Sequence, residues 1–542
     1  MQKRYKAGNK SLRDFFWNYP YMVASWGKYI KRLRLPFIIL LTCLIISLLY
    51  VGIFQRLTEN VHHDDTLYIG VYSQNETYNP LVPTSLSDML NTFIYNNLIT
   101  VDGGNTPSPD LADSWELTNA NTQLILHLHP GVKWQDGQAF NTNDVLFSFN
   151  IEKKLHPASP LASATISILS PLSIEITLPS IDPNLWSDLI WPIFPAHKLA
   201  GTYSSAGTGP YTLTNIGTNI YGLSANPLYF KGVAHIKSIQ VQVYASLGRL
   251  QTAYNNGEID AYELFNPTAT NTDILTKQTE RTLIISRPVQ SDYYGLFFNT
   301  KTITDKNIRV ALNYAINKDS VVTALQGFAT ESDGPVAKNS WAYVSNSNIE
   351  RYPYSISNTV AAMMKAGYTM QNGFYTDSKG QEFSLTIDTE KDNPGSSILP
   401  LLVSKLTNEG FKINIHTYTD SQWQSLIVNQ KSFQVAFAFV QGNLDPDSLG
   451  LWDTKGESNI SQYSNPYVDH YLEFARNIIN TSERLSAYTL FQEDLMADAP
   501  AVFLYSPDAI IVSRSNIENL QIPENISSEN SVYNDIQDWK LE

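Results

Sequence analysis

The chain has 542 residues, a formal net charge of −14 and a hydrophobic content of 43%. At this length one hydrophobic core cannot hold the whole chain, so two or more lobes are expected, and the hydrophobic content excludes wholesale disorder. The acidic balance argues against nucleic acid as a partner. A single cysteine, Cys43, excludes an internal disulfide framework and a cysteine-rich metal site.

The N-terminal segment combines basic charge with a long apolar run. Residues 35–54 contain no charged side chain and are long enough to span a membrane as a helix. The positive-inside rule places the basic residues 1–34 in the cytoplasm and the rest of the chain outside, after a polar tether at 55–65. No small-residue cleavage site follows the run, and Cys43 lies in its middle, where a lipoprotein cysteine would not stand. The sequence therefore predicts a retained single-pass anchor in the cytoplasmic membrane.

Beyond the tether, strand and helix patterns alternate, which indicates an α/β fold. The predicted strands are 66–71, 123–128, 173–178, 211–216, 239–244 and 412–417. The predicted helices are 87–97, 247–256, 307–315, 360–366, 399–408 and 484–496.

The stretch after the strand 123–128 contains a turn followed by a helix. Asp136 and Gly137 form a pair that favours a tight hairpin turn with positive φ, so residues 131–137 are predicted to form strand, turn and strand. Thr142 and Asp144 precede an apolar run with helical spacing. The pattern predicts a hairpin that leads into a capped helix.

This stretch, which reads HLHPGVKWQDGQAFNTNDVLFSFN from His127 onward, resembles the signature of the extracytoplasmic solute-binding proteins of peptide and nickel ABC importers (family 5). Further motifs resemble those of the same family and occur in its order: Gly207–Tyr211, Gly257–Ala261, Phe297–Asn299, Asp305–Asn317, Gly410–Ile413, Asp445–Asp447, Asn465-Pro466 with Asp469, and Asp498–Tyr505. Each motif alone is weak. Their order across residues 66–510 carries the resemblance.

The resemblance implies an α/β, bilobal clamp of the periplasmic-binding-protein type (type II, large peptide-binder class), preceded here by the transmembrane helix. Lobe I would comprise 66–290 and 505–542, and lobe II would comprise 291–504. Crossing segments near 287–298 and 501–507 would form the hinge. Such proteins close around a ligand by hinge motion between open and closed states.

The expected ligand cleft departs from the family pattern at one position. In peptide-binding members, an aspartate three positions before the Asp-Pro-Asp triplet neutralises the N-terminal ammonium of the peptide, and here that position is Gly442. A buried cation needs a counter-charge, so either another acid takes this role or the ligand is not an ordinary free-amine peptide. Gln441 and Asn443 could hydrogen-bond a neutral, amide-rich ligand. Asp445 and Asp447 are expected to cap a helix or fix a turn.

Other cleft residues are predicted from their place in the chain. Tyr78 and Asn79 follow the first strand, where ligand sites of α/β proteins commonly lie. Trp341 and Tyr343 follow a loop that approaches the cleft in relatives, although each aromatic side chain could equally belong to a core. The predicted ligand-binding residues are Tyr78, Asn79, Trp341, Tyr343, Phe439, Gln441, Gly442, Asn443 and Asp445. Arg309 matches an arginine that the family keeps, and a structural role is expected for it.

Catalytic and metal-binding patterns do not support another class of protein. The sequence has no G-x-S-x-G elbow, no H-E-x-x-H pair and no Walker-type phosphate loop, so no enzymatic activity is predicted. His62 and His63 lie in the tether, and the alternating His127 and His129 supply at most two ligands from one strand. No metal and no cofactor is predicted.

The sequence thus predicts a membrane-anchored binding protein that captures peptides or peptide-like solutes outside the cell. It would deliver them, by hinge closure, to the permease and ATPase subunits of an ABC transporter. One alternative is a surface ligand sensor or scaffold with the same fold and no transport role, which the long cytoplasmic segment 1–34 favours. Another is a protein with nickel or haem-type cargo.

Overall fold

The structure is a computed structural model that describes residues 65–73, 77–82, 84–101, 106–157, 159–198, 206–265, 282–288, 292–345, 348–442, 445–520 and 532–542. The predicted cytoplasmic segment 1–34 and membrane anchor 35–54 lie outside these residues. Across the described ranges, no helix combines the length and the apolar character needed to cross a membrane. The described residues within 65–254 and 259–542 belong to one packed unit.

The strands of the described residues are β1 (Thr66–Tyr72), β2 (Ile99–Val101), β3 (Pro107–Pro109), β4 (Ala112–Thr118), β5 (Gln123–Leu128), β6 (Thr165–Ser170), β7 (Ser173–Thr177), β8 (Tyr211–Ile216), β9 (Ile220–Ala225), β10 (Ser238–Tyr244), β11 (Ala261–Phe265), β12 (Thr282–Pro288), β13 (Tyr293–Phe298), β14 (Ala329–Glu331), β15 (Thr369–Gln371), β16 (Phe374–Thr376), β17 (Ser384–Glu390), β18 (Lys412–Tyr418), β19 (Val435–Val440), β20 (Ala501–Arg514), β21 (Ile517–Glu518) and β22 (Lys540–Leu541).

The helices of the same residues are α1 (Ser85–Ile94), α2 (Thr142–Leu155), α3 (Leu185–Asp188), α4 (Leu247–Asn256), α5 (Lys306–Ala315), α6 (Lys318–Ala324), α7 (Ile356–Lys365), α8 (Leu399–Asn408), α9 (Asp420–Gln422), α10 (Leu449–Trp452), α11 (Pro466–Arg476) and α12 (Thr481–Asp498). A π-helical segment, Trp423–Asn429, follows α9 directly. Strands and helices alternate along the chain, so the predicted α/β class is confirmed.

One large mixed sheet runs through the molecule in the order β18-β17-β19-β13-β20-β11-β1-β10-β9-β8, and β12 and β14 also pair with β20. The strand β20 is 14 residues long and nearly all of it is buried. Its residues 501–505 pair with β13, and its residues 508–514 pair with β12. One continuous strand therefore belongs to both halves of the sheet. A separate sheet has the order β4-β5-β7-β6.

The buried apolar side chains form cores that lie in different parts of the sequence. The largest core is built from residues between Leu67 and Phe265, together with the segment from Ala509 to Leu541. Two further cores use residues between Tyr293 and Tyr505 only. This distribution suits a two-lobed protein, while the lobe limits given above stay a prediction.

The turn at residues 131–137 is present, but its flanking strands are reduced to one isolated bridge between Lys133 and Ala139. Backbone bonds still cross the turn, since the N–H of Trp134 donates to the carbonyl of Gln138 at 2.8 Å and the N–H of Phe140 donates to the carbonyl of Val132 at 3.1 Å. The predicted strand, turn and strand are therefore present as a short hairpin, and Gly137 has the predicted positive φ of 86°. The amide of Gln135 ties this hairpin to the carbonyl of Tyr211 at 2.8 Å and to Gly207 N–H at 2.8 Å.

The helix that follows this turn, α2, is capped as predicted. Asn141 accepts the N–H of Asn143 at 2.9 Å, and Asp144 returns the bond by accepting the N–H of Asn141 at 3.0 Å. Asp144 also accepts the indole N–H of Trp134 at 3.2 Å. The cap thus fixes the angle at which the preceding turn meets the helix.

Helix starts differ from the predicted ones because capping residues lie further upstream. Helices α1, α7 and α12 begin after Thr84, Ser355 and Asn480, each of which accepts a backbone N–H of the first turn. By contrast, the bounds of β5, β8, α4 and α8 agree with the prediction.

The motif Gly207–Tyr211 approaches the end of α1 so closely that a side chain would not fit. A Cβ on Gly207 would lie 1.6 Å from the carbonyl oxygen of Ile94. Gly209 N–H donates to that same oxygen at 2.9 Å, and the amide of Asn226 donates to the carbonyl of Gly209 at 2.8 Å. The glycines therefore dock the loop onto the helix end through backbone contact.

The substitution Gly207→Ala should lower the free energy of unfolding by about 2–3 kcal/mol, because the backbone of α1 must move to admit the methyl group. Gly248→Ala is the matched control, since a Cβ there meets nothing within 4 Å and alanine favours the helix by up to about 1 kcal/mol. Urea unfolding of the two variants and the parent checks this. Equal midpoints for Gly207→Ala and the parent would contradict it.

Candidate ligand-binding site

The cavity that contains four of the nine predicted site residues has a volume of about 490 Å³ and lies at the end of β19. Its walls come from Tyr293 on β13, the π-helical segment 423–429, and the loop that follows β19. Four of the predicted residues line it: Phe439, Gln441, Gly442 and Asp445. Asn443 lies outside the described residues. The structure thus brings together the part of the site that was predicted from the Asp-Pro-Asp motif.

One edge of β19 is open where the strand meets this cavity. Antiparallel pairing with β13 extends over the whole strand, from Val435 to Val440. Parallel pairing with β17, on the other side, includes only residues 435–437. For residues 438–440, no described strand pairs on that side, and all three residues line the cavity.

Gly442 has no side-chain carboxylate, but its backbone N–H contacts a carboxylate that was not predicted. The N–H of Gly442 donates to Oδ1 of Asp292 at 2.8 Å, and Asp292 is buried. Asp292 comes directly before β13, so the two residues meet because β13 and β19 are adjacent. Sequence spacing alone could not reveal this contact, since the residues are 150 positions apart.

Asp445 is buried and forms an ion pair. Nη2 of Arg484 lies 2.7 Å from its Oδ1, and the Tyr488 hydroxyl donates to the same oxygen at 3.3 Å. The Arg484 guanidinium also lies over the ring of Trp341, 5.2 Å from its centroid. Burial raises the pKa of Asp445, although Arg484 opposes the shift. A desolvated carboxylate needs this counter-charge, and the expected cap or turn role of Asp445 stays a prediction.

Asp447 has the predicted turn role. Its Oδ1 accepts the N–H of Leu449 at 3.0 Å, at the start of α10. Its Oδ2 lies 2.6 Å from Nη2 of Arg476, and the arginine side chain of this ion pair is half-exposed. The two acids of the Asp-Pro-Asp motif are therefore both paired with arginines from the helices α11 and α12.

The other described residues of the predicted site do not line this cavity: Tyr78, Asn79, Trp341 and Tyr343. Tyr78 is buried in the largest core and hydrogen-bonds Asn91 at 3.2 Å, and Asn79 accepts the N–H of Leu81 at 3.0 Å in a turn. Tyr343 donates to Asp333 at 3.2 Å. These contacts stabilise the fold, and a ligand role for these residues stays a prediction.

Phe439 contacts the ring of Tyr294, with 4.9 Å between ring centroids, and Tyr505 lies at the same distance on Tyr294. The aromatic cluster joins β13, β19 and β20 beside the cavity. Arg309 has the structural role that was expected, because it donates to the carbonyls of Ile303, Asp498 and Ala499 at 2.8–3.2 Å.

A second cavity, of about 410 Å³, lies among elements of the largest core. It is lined by Asn91, Tyr95, Asp110 and Lys231 among others. Asp110 is paired there with Lys231 at 2.7 Å. Among the described residues, no group of three or more His, Cys, Asp or Glu is placed to hold a metal ion. The predicted ligand residues favour the cavity at β19.

A mixed sheet shared by two sets of cores, with a cavity beside the shared strands, defines a two-lobed binding protein. Residues 106–462 match the family described as "Bacterial extracellular solute-binding proteins, family 5 Middle", and the chain belongs to this family. Its homologues are substrate-binding proteins of ABC transporters, and the family consists of solute-binding proteins rather than enzymes.

Two relatives and one solved structure illustrate the range of this likeness. Heme-binding protein A of Haemophilus influenzae is 25% identical over 452 residues, which cover 75% of this chain and 80% of that protein. Glutathione-binding protein GsiB of Pectobacterium atrosepticum is 26% identical over 470 residues, which cover 80% of this chain and 88% of that protein. The structure of the oligopeptide-binding protein AppA of Bacillus subtilis with a nonapeptide has a TM-score of 0.67 at 20% identity. The match covers 88% of this chain and 99% of that one. At that identity the structure supports the bilobal fold alone.

The buried ion pair between Arg484 and Asp445 can be tested directly, because Asp445 lines the cavity. Arg484→Met should lower the free energy of unfolding by about 3–5 kcal/mol, because the buried Asp445 loses its counter-charge. Arg476→Met is the matched control, because Arg476 is 45% exposed and its pair should contribute less than about 1 kcal/mol. Urea unfolding monitored by tryptophan fluorescence measures both. Equal losses for the two variants would contradict the assignment.

Proposed function

We propose that this chain captures peptides or peptide-like solutes outside the cell and delivers them to the permease of an ABC importer. The open edge of β19 at residues 438–440 carries the proposal. An extended peptide can add to an open sheet edge through main-chain hydrogen bonds, which do not depend on its side chains. The cavity beside this edge leaves room for the ligand's side chains.

The groups around the open edge suit a ligand rich in amides. Gln441 is exposed at the end of β19 and can both donate and accept a hydrogen bond. Phe439 and Val440 offer apolar surface on the cavity wall. A peptide is also the ligand class that the name of one relative gives, since AppA of Bacillus subtilis is an oligopeptide-binding protein.

Delivery would use the hinge motion of a two-lobed protein. A ligand that contacts both lobes favours the closed form by as much as the closed contacts exceed the open ones. Residues 35–54 would anchor the protein in the cytoplasmic membrane with its N-terminus inside, which keeps the binding lobes close to the permease.

The full-length chain, purified in detergent, should be stabilised by a mixed library of tri- to pentapeptides. Ligand at a hundred times its Kd adds about 2.7 kcal/mol to the free energy of unfolding, so the melting temperature should rise by several degrees. N-methylated peptides should stabilise it less, because they cannot donate to the strand edge. Mass spectrometry of native preparations should identify a bound peptide. Flat melting with every peptide class, or nickel or haem in the preparation, would contradict the proposal.

Gln441→Ala should weaken peptide binding about fivefold, which corresponds to the loss of one hydrogen bond of about 1 kcal/mol. Gln381→Ala, in an exposed turn outside the cavity, is the control and should bind as the parent does. Isothermal titration with one peptide taken from the library measures the difference. Unchanged affinity for Gln441→Ala would place the ligand away from the end of β19.

A further inference from the structure

The cavity at the end of β19 opens directly onto one of the apolar cores. Its apolar lining comes from β13, the π-helical segment and the loops around them, and it includes Phe297, Val336, Trp423, Val428, Leu451 and Ile460. The first three of these side chains are buried members of the core, and the other three are partly buried against it. Apolar surface that remains open in this way is stabilised when another apolar group covers it.

The π-helical segment determines which side chains face the cavity. Its wider turn is seen where the N–H of Gln430 donates to the carbonyl of Ser425, five residues earlier, at 3.1 Å. Trp423 and Val428 are also five positions apart, and both line the cavity. In an α-helix Trp423 would share its face with Ile427 instead, and Ile427 is buried outside the cavity lining. π-helical turns are frequent at functional sites, and here the turn brings two apolar side chains to one wall.

The polar groups of the wall are already satisfied within the chain. Asp445 pairs with Arg484, and Asp447 pairs with Arg476. The hydroxyl of Ser448 donates to the backbone carbonyl two residues before it at 3.1 Å. These groups therefore need no partner from a ligand, and the apolar part of the wall is the part that a ligand can still cover.

The charges of the wall all have the same sign. Its charged side chains are Asp445, Asp447 and Glu457, and the described residues that line the cavity include no Lys, Arg or His. A carboxylate that entered from a ligand would lose its water, meet no cation and be repelled by these acids. A neutral apolar group meets none of these costs. The cavity therefore favours apolar side chains and disfavours acidic ones.

The size of the cavity favours a large side chain over a small one. Its volume of about 490 Å³ lies in the range of about 300–1,000 Å³ that is typical of pockets for whole small ligands, so an aromatic ring is not too large for it. A methyl group would leave most of the apolar wall uncovered. Because side chains alternate along an extended chain, a peptide on the open edge of β19 can direct a side chain into this space.

We propose that the cavity at β19 is a specificity pocket for one large apolar side chain of the ligand, and that Trp423 and Val428 determine this preference. The inference rests on the proposed function. It narrows the substrate class to peptides or peptide-like solutes that carry an aromatic or long aliphatic side chain at one position, where an acidic side chain is rejected.

Tetra-alanine peptides are the probes, with each position replaced in turn by phenylalanine, norleucine or glutamate. Titration calorimetry on the full-length chain in detergent gives the affinities. At one position, phenylalanine and norleucine should bind at least about tenfold more tightly than the alanine host, because they cover the apolar wall. Glutamate at that position should bind at least about tenfold more weakly than the host.

Val428→Phe is the main test variant, because Val428 is only partly buried and a ring at this position occupies the cavity itself. This variant should lose the preference for phenylalanine and bind the alanine host within about twofold of the parent. Trp423→Ala removes part of the wall and should reduce the preference to less than about threefold. Tyr467→Ala is the control, since Tyr467 is 66% exposed on α11 and does not line the cavity, and it should bind as the parent does.

Melting of the ligand-free variants, within a few degrees of the parent for Val428→Phe, shows that the comparison is between folded proteins. Equal affinities for the phenylalanine, norleucine, alanine and glutamate forms at every position would overturn the inference while peptide import stands. A full preference for phenylalanine in Val428→Phe would overturn it as well. Failure of every peptide to bind the parent would overturn the proposed function and this inference together.

Discussion

The rest of the structure depends on the strand β20, which belongs to both halves of the large sheet. Because it is buried along nearly all of its 14 residues, its backbone groups must be paired on both sides. The strands β13 and β14 pair with its first half, and β11 and β12 pair with its second half. The strand β13 is held against β20 by this pairing, and the cavity lies at β19, the next strand beyond β13. The position of the cavity therefore depends on β20.

The buried arginines belong to the framework that supports the site. Arg309 is satisfied by backbone carbonyls, and Arg484 is satisfied by Asp445, so both contribute to one fixed arrangement. Buried polar groups that are paired within the chain in this way stabilise the fold.

The sequence predicted the parts of the molecule that depend on local patterns. Strand β5 and helix α8 have the expected bounds, since their apolar spacing and closing residues are local signals. The starts of α1, α7 and α12 were missed because each cap lies upstream of the apolar run. The cavity was located through a motif in one loop. Its partner Asp292 could not be predicted, because it reaches that loop only through the pairing of β13 with β19.

The open strand edge leaves one part of the recognition problem unsolved. Main-chain hydrogen bonds along β19 repeat every two residues, so by themselves they would leave the register of a bound peptide undetermined. A single fixed charge would determine the register without restricting the side chains. Because position 442 is a glycine, that constraint would have to come from another element.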